Sequence, residues 1–169
     1  MELKLIKPTI EYKEELIEMV VEFCQNDKPK DAIPGSSNIN GYESIEQWLE
    51  FINKKDIDTV LVPFYQYLVV DGNNKAIGFL NIRLSLNDHL LNYGGHIGYS
   101  VLPKERQKGY AQTILKEALK ICKDNSINEV LITCKEDNIY SEKVILKNGG
   151  VLEDIRNDGS FNFKRYWIK

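Results

Sequence analysis

The sequence predicts an α/β (α+β) domain built on mostly antiparallel strands, with amphipathic helices between them. Three observations lead there. The apolar and aromatic runs at residues 63–70 and 75–86 flank the turn cluster Asp71-Gly72-Asn73-Asn74, the mark of two antiparallel neighbours. Segments 12–24 and 111–122 space their apolar residues as helices do. The run Val130-Leu131-Ile132-Thr133-Cys134 is apolar without alternation. It reads as a buried strand, parallel to the one before it across a helical crossover.

The elements follow in order. Residues 3–6 read as a first strand ended by Pro8. Residues 12–24 form a helix with Leu16, Met19, Val20 and Phe23 on one face. Residues 25–40 hold Pro29, Pro34, Gly35 and two serines and are expected as a long loop, a length that commonly serves function. Ser44 caps a helix to about Asn53, with Gln47 completing a capping box and Ile45, Trp48, Leu49 and Ile52 as its apolar face. Asp56 to Asp58 is a polar joint. After the two antiparallel runs come a connection over 87–95, a strand over 96–101 and a helix from Ala111 to Lys123, broken by Asn125-Ser126. Asn138 caps a short helix through Lys147, which Gly149-Gly150 stops. Residues 151–156 and 161–168 make a hairpin around Asn157-Asp158-Gly159-Ser160. No composition shift marks a boundary, so residues 1–169 are expected to form a single domain.

Composition narrows the function classes. The 169 residues are 28% charged and 43% hydrophobic, with a net charge of −3. That suits one sizeable core and lacks the extended basic surface of a nucleic-acid binder. No apolar run spans a membrane and no signal pattern opens the chain. No nucleic-acid or membrane partner is expected, and the expected location is cytoplasmic. Cys24, Cys122 and Cys134 are far apart, and His89 and His96 are the two histidines. Neither a disulfide framework nor a metal site is expected.

Chemistry gathers where the 96–101 strand runs into the 111–123 helix. A strand that enters a helix through a loop of small residues leaves backbone N–H groups free at the helix start, where the helix dipole is positive. Gly109 lets the backbone approach a bulky anion, Ala111 keeps the next position small, and Arg106 and Lys108 add charge. Such a junction suits a pyrophosphate. It is neither a P-loop nor a dinucleotide fingerprint.

Arg106-Gln107-Lys108-Gly109-Tyr110-Ala111 fits the pattern Arg/Gln-x-x-Gly-x-Gly/Ala. Gly95-His96-Ile97-Gly98-Tyr99 precedes it, and Asn138-Ile139-Tyr140-Ser141 and Lys147-Asn148-Gly149-Gly150 follow. Together they make roughly the C-terminal half resemble the GCN5-related N-acetyltransferases, the GNAT superfamily. Within it the chain looks most like the uncharacterised bacterial acetyltransferases with Gly-Gly-His-Ile-Gly-Tyr before the cradle. The resemblance implies a mixed, mostly antiparallel twisted sheet with helices on both faces. It also implies a splayed parallel strand pair, 96–101 and 130–134, whose gap admits the pantetheine arm of acetyl-CoA. Acetyl-CoA or CoA, the implied co-substrate, would be held by Val101, Arg106, Gln107, Lys108, Gly109, Tyr110 and Ala111. Asn138 and Ser141 would lie near its thiol-bearing arm. Backbone groups of Tyr99 and Val101 would orient the thioester carbonyl and the oxyanion. The implied reaction is direct transfer to the primary amine of a small molecule through a tetrahedral intermediate. Residues 25–40 would help form the acceptor site, and a homodimer is expected. The alternatives are an O-acyl or longer-acyl transferase and a non-catalytic CoA-binding or regulatory module.

For the base, His96 is the candidate. It opens the central strand, where relatives often place a glutamate, and an ordinary pKa of ~6.5 suits proton abstraction near neutrality. The competing role is a structural hydrogen bond. Many relatives carry a tyrosine seven positions after the asparagine, as acid for the thiolate; this chain has Ile145 there. Water is then a sufficient proton source, given a thiol pKa of ~8.5. Glu105 is expected to be exposed, His89 solvated or facing the acceptor, and Cys134 inert core. Trp48 and Trp167 read as core, and Tyr65, Tyr67, Tyr93 and Tyr99 as strand packing or acceptor-pocket aromatics.

Overall fold

The computed structural model describes residues 2–29, 31–54 and 61–169, so the expected joint at Asp56 to Asp58 lies outside the described residues. The strands are β1 (Leu3–Ile6), β2 (Phe64–Asp71), β3 (Ala76–Arg83), β4 (Ile97–Val101), β5 (Val130–Lys135), β6 (Val151–Asn157) and β7 (Asn162–Ile168). The α-helices are α1 (Lys13–Asp27), α2 (Ile45–Ile52), α3 (Tyr110–Asp124) and α4 (Ile139–Lys147).

The caps form as the side chains dictate. Ser44 Oγ accepts from the Gln47 N–H at 3.2 Å and starts α2. Asn138 Oδ1 accepts from the Ser141 N–H at 3.1 Å and starts α4. α1 runs three residues past the expected end, to Asp27. The 87–95 connection contains a π-helical turn, Leu90–Gly94.

Two antiparallel ladders result, β1-β2-β3-β4 and β5-β7-β6. The chain therefore has the mixed α/β architecture expected, with the sheet divided between β4 and β5. Helices cover both faces. Ile114, Leu115 and Ala118 of α3 and Ile145 of α4 pack with Leu80, Ile82, Ile97 and Val101. Leu16, Met19 and Phe23 of α1 and Trp48 of α2 pack on the other face with Leu68, Val70 and Phe79. Each such side chain contributes roughly 1.5–3 kcal/mol on burial, which holds the sheet between its helices.

Two core expectations differ. Trp48 is fully buried, but Trp167 is half-exposed and donates to Glu153 Oε2 at 3.0 Å. Tyr166 and Ile168 point inward, so strand alternation turns Trp167 outward. Glu105, expected at the surface, is only 9% exposed. Lys108 at 2.7 Å and Lys75 at 3.3 Å hold its carboxylate. The hydrogen bond from Lys108 does most to keep that carboxyl below its usual range, against the effect of burial. Among the described residues, no helix is long and apolar enough to cross a membrane.

Candidate functional site

The site begins where β4 ends. A 3-10 turn over Pro103–Glu105 carries the chain to Arg106. Gln107, with φ +61°, and Gly109, with φ +88°, then adopt left-handed backbone before α3 starts at Tyr110. Left-handed backbone is unusual for Gln107 and natural for Gly109. The consequence is a row of unused donors. Among the described residues, no acceptor takes the N–H groups of residues 107–112, and Thr113 N–H is the first to close back, on Gly109 O at 3.4 Å. Several amides at the positive end of a helix make a strong anion site.

The charged side chains around this row are arranged differently from expectation. Arg106 Nε donates to Val101 O at 3.0 Å, and its Nη1 and Nη2 donate to Asp27 at 2.8 and 2.5 Å. Arg106 therefore ties the end of α1 to the end of β4. Lys108 is held by Glu105. The free donors of this turn are backbone groups, and the side chains of Arg106 and Lys108 are tied to Asp27 and Glu105.

From the cradle, the unpaired edge of β4 leads back to the point where β4 and β5 meet. There the His96 N–H donates to Leu131 O at 2.8 Å, and the Leu131 N–H donates to His96 Nδ1 at 2.9 Å. The imidazole thus replaces a backbone carbonyl and fastens the two strands at one end. Beyond it β4 pairs with β3, and β5 with β7. From β4, Tyr99 OH lies 3.3 Å from Ser141 Oγ in the first turn of α4. Among the described residues no ladder joins β4 to β5 beyond this junction.

His96 is 7% exposed. Burial, and then the charge of Arg83, lowers its pKa to about 4. With Nδ1 accepting, the neutral ring carries its proton on Nε2. The lone pair that a general base must offer is occupied by Leu131. This geometry is that of a clamp and differs from the expected base.

On the α1–α2 face, residues 33–41 fold directly onto β4. Gly35 has φ +73°, and a Cβ there would stand 2.6 Å from Gly98 O. Gln66 Nε2 donates to Gly35 O at 2.8 Å, Ser37 Oγ to Gln66 Oε1 at 2.6 Å, and Trp48 Nε1 to Ser36 O at 2.8 Å. Asn81 Nδ2 joins at 3.1 Å from Gln66 Oε1. No motif announces these residues. The available signal is that Asn81 and Arg83 interrupt one face of an otherwise apolar strand.

The remaining candidates separate by burial. Ile145 is fully buried core. The Cys134 thiol is buried and its pKa is pushed up to about 11 by that burial, which leaves it inert at neutral pH. Tyr140 is 65% exposed, and the exposed His89 ring stands 5.8 Å from that of Tyr93. Tyr93 OH donates to Asn157 O at 3.2 Å, and Tyr65 packs edge-on to Tyr67.

The arrangement combines an anion cradle, an open strand edge, two hydroxyls across a gap and a clamped apex. A family model described as an acetyltransferase (GNAT) domain matches residues 4–151. Among solved structures, the microcin self-immunity acetyltransferase MccE in complex with acetyl-CoA and AMP is similar at 21% identity and a TM-score of 0.71, over 99% of this chain and 92% of that chain. RimL, a ribosomal-protein alpha-N acetyltransferase in complex with coenzyme A, is similar at 18% identity and a TM-score of 0.70, over 99% and 94%. A mutant form of the spermidine N-acetyltransferase SpeG from Vibrio cholerae is similar at 16% identity and a TM-score of 0.67, also over 99% and 94%. At these identities the likeness concerns the fold. No curated protein sequence matches the chain.

Proposed function

The chain belongs to the GNAT acetyltransferase family, and from that premise we propose that it is an acetyl-CoA-dependent N-acetyltransferase acting on the primary amine of a small molecule. The observation that carries this reading is the continuity from the free amides of residues 107–112, along the open edge of β4, to the His96–Leu131 junction. A pyrophosphate suits the amide row, and the amides of a pantetheine arm suit an unpaired strand edge. Gln107, Lys108, Gly109, Tyr110 and Ala111 would hold the phosphates by their backbone. Asn138 and Ser141 would flank the thiol-bearing end. The complexes of MccE with acetyl-CoA and of RimL with coenzyme A support this choice.

In the proposed reaction the amine nitrogen attacks the thioester carbonyl, and a carbon–nitrogen bond forms. Backbone N–H groups near Tyr99 and Val101 stabilise the oxyanion. Collapse breaks the carbon–sulfur bond, and the thiolate takes a proton. We assign that proton to the Tyr99 phenol, whose hydroxyl lies 3.3 Å from Ser141 Oγ, in place of the tyrosine that position 145 lacks. Burial raises the phenol pKa, so it stays protonated at neutral pH. His96 serves as the clamp, and the amine loses its proton to water.

Steady-state thiol release with an amine panel tests the reading. Acetyl-CoA consumption matched by acetylated amine supports it. Tight CoA binding without turnover on any amine would favour a non-catalytic CoA-binding module. Tyr99→Phe and Ser141→Ala should each lower kcat about 10- to 100-fold with acetyl-CoA affinity nearly unchanged. Unaltered kcat in both variants would place the acid elsewhere.

A further inference from the structure

We infer that Arg83 receives an oxyanion of the acceptor, so that the substrate is a small amine carrying a carboxylate or phosphate rather than a polyamine; this rests on the transferase reading above. Arg83 ends β3, and its backbone N–H donates to His96 O at 2.7 Å, which puts it beside the β4–β5 junction. Its side chain lies over Gly98. A Cβ at position 98 would come within 3.0 Å of Arg83 Nη2 and 3.2 Å of Nη1. Gly98 therefore supplies the room that the guanidinium occupies. The residue stands on the strand face that carries Asn81, against which residues 33–41 fold.

Among the described residues, the donors of this guanidinium are mostly unused. Arg83 Nη1 donates to Gly94 O at 3.2 Å. A guanidinium has five N–H groups, and among the described residues none of the others finds an acceptor. The chain's other three arginines all hold carboxylates: Arg106 with Asp27, Arg156 with Asp154, and Arg165 with Glu153 and Asp154. Acidic residues outnumber basic ones, 25 against 22, so partners are not scarce. A half-buried guanidinium with no counter-ion among the described residues is costly unless something completes it. Burial lowers its pKa only to about 10, so it keeps its charge at neutral pH. The planar fork matches a carboxylate or a phosphate by paired hydrogen bonds. A wholly cationic polyamine meets repulsion at the same place.

The test uses matched acceptors: lysine against cadaverine, O-phosphoethanolamine against ethanolamine, with spermidine beside them. The oxyanion-bearing member of at least one pair should win by about 30-fold or more in kcat/KM, and whichever pair shows the preference identifies carboxylate or phosphate. Arg83→Gln should bring that ratio close to one, mainly through KM, with Arg83→Lys intermediate. Equal use of paired acceptors, preference for spermidine, or no turnover on any member overturns the inference. So does a uniform loss across all acceptors in Arg83→Gln, which is what a merely structural arginine gives. Acetyl-CoA titration separates the two claims. Binding without an oxyanion preference removes only the Arg83 role, whereas absence of binding removes the transferase reading itself.

Discussion

Gly109→Glu should raise the Kd for acetyl-CoA at least about 100-fold, from two additive causes. Gly109 holds φ +88° directly before α3, a conformation that costs a residue with a Cβ roughly 1–2 kcal/mol. The new carboxylate would also stand among the free amides of residues 107–112 and take the place of the phosphates. Gly109→Ala shares the backbone strain without the charge and should weaken binding by only about tenfold. Titration calorimetry measures both, with thermal melts confirming that the variants fold. Wild-type affinity in Gly109→Glu would remove the cradle assignment.

Acidification should weaken the fold through His96. Its pKa is about 4 in the native protein and ~6.5 when unfolded. Between those values the unfolded chain binds a proton that the native chain does not, so stability rises with pH across that window. The contribution is complete above about pH 6.5 and is lost as pH falls through about 4. Its full size is about 3 kcal/mol. His96→Asn offers an oxygen near the position of Nδ1 and should keep the bond to the Leu131 N–H without titrating. Urea unfolding from pH 7.5 to 4.5 should therefore show wild type losing about 2.5 kcal/mol relative to His96→Asn. Parallel curves would contradict the clamp. His96→Ala, which leaves the Leu131 N–H unpartnered, should cost about 1–3 kcal/mol even at pH 7.5. If His96 is a clamp, His96→Asn also keeps the shape of the wild-type pH–rate profile.

What the sequence made legible was local. The order of strands and helices followed from periodicity, and the caps at Ser44 and Asn138 followed from residue type and spacing. The turn proposed as the cradle was visible because all its parts lie within residues 106–112. What escaped depends on partners far along the chain. Arg106 looked like a phosphate ligand until Asp27, 79 residues away, claimed its guanidinium. His96 looked like a base until Leu131, 35 residues away, occupied Nδ1. Glu105 looked like a loop residue because Lys75 comes from another turn. Asn81 and Arg83 carried a weaker signal, two polar residues on one face of an apolar strand, which only the packing of residues 33–41 makes meaningful.

Calorimetric titration with acetyl-CoA, and separately with CoA, tests the central claim most directly. The amide row and the open edge of β4 predict one site per chain with micromolar affinity for both. Absence of binding by either would mean that residues 106–111 form only a strand-to-helix turn, and the proposed transferase activity would be contradicted with it.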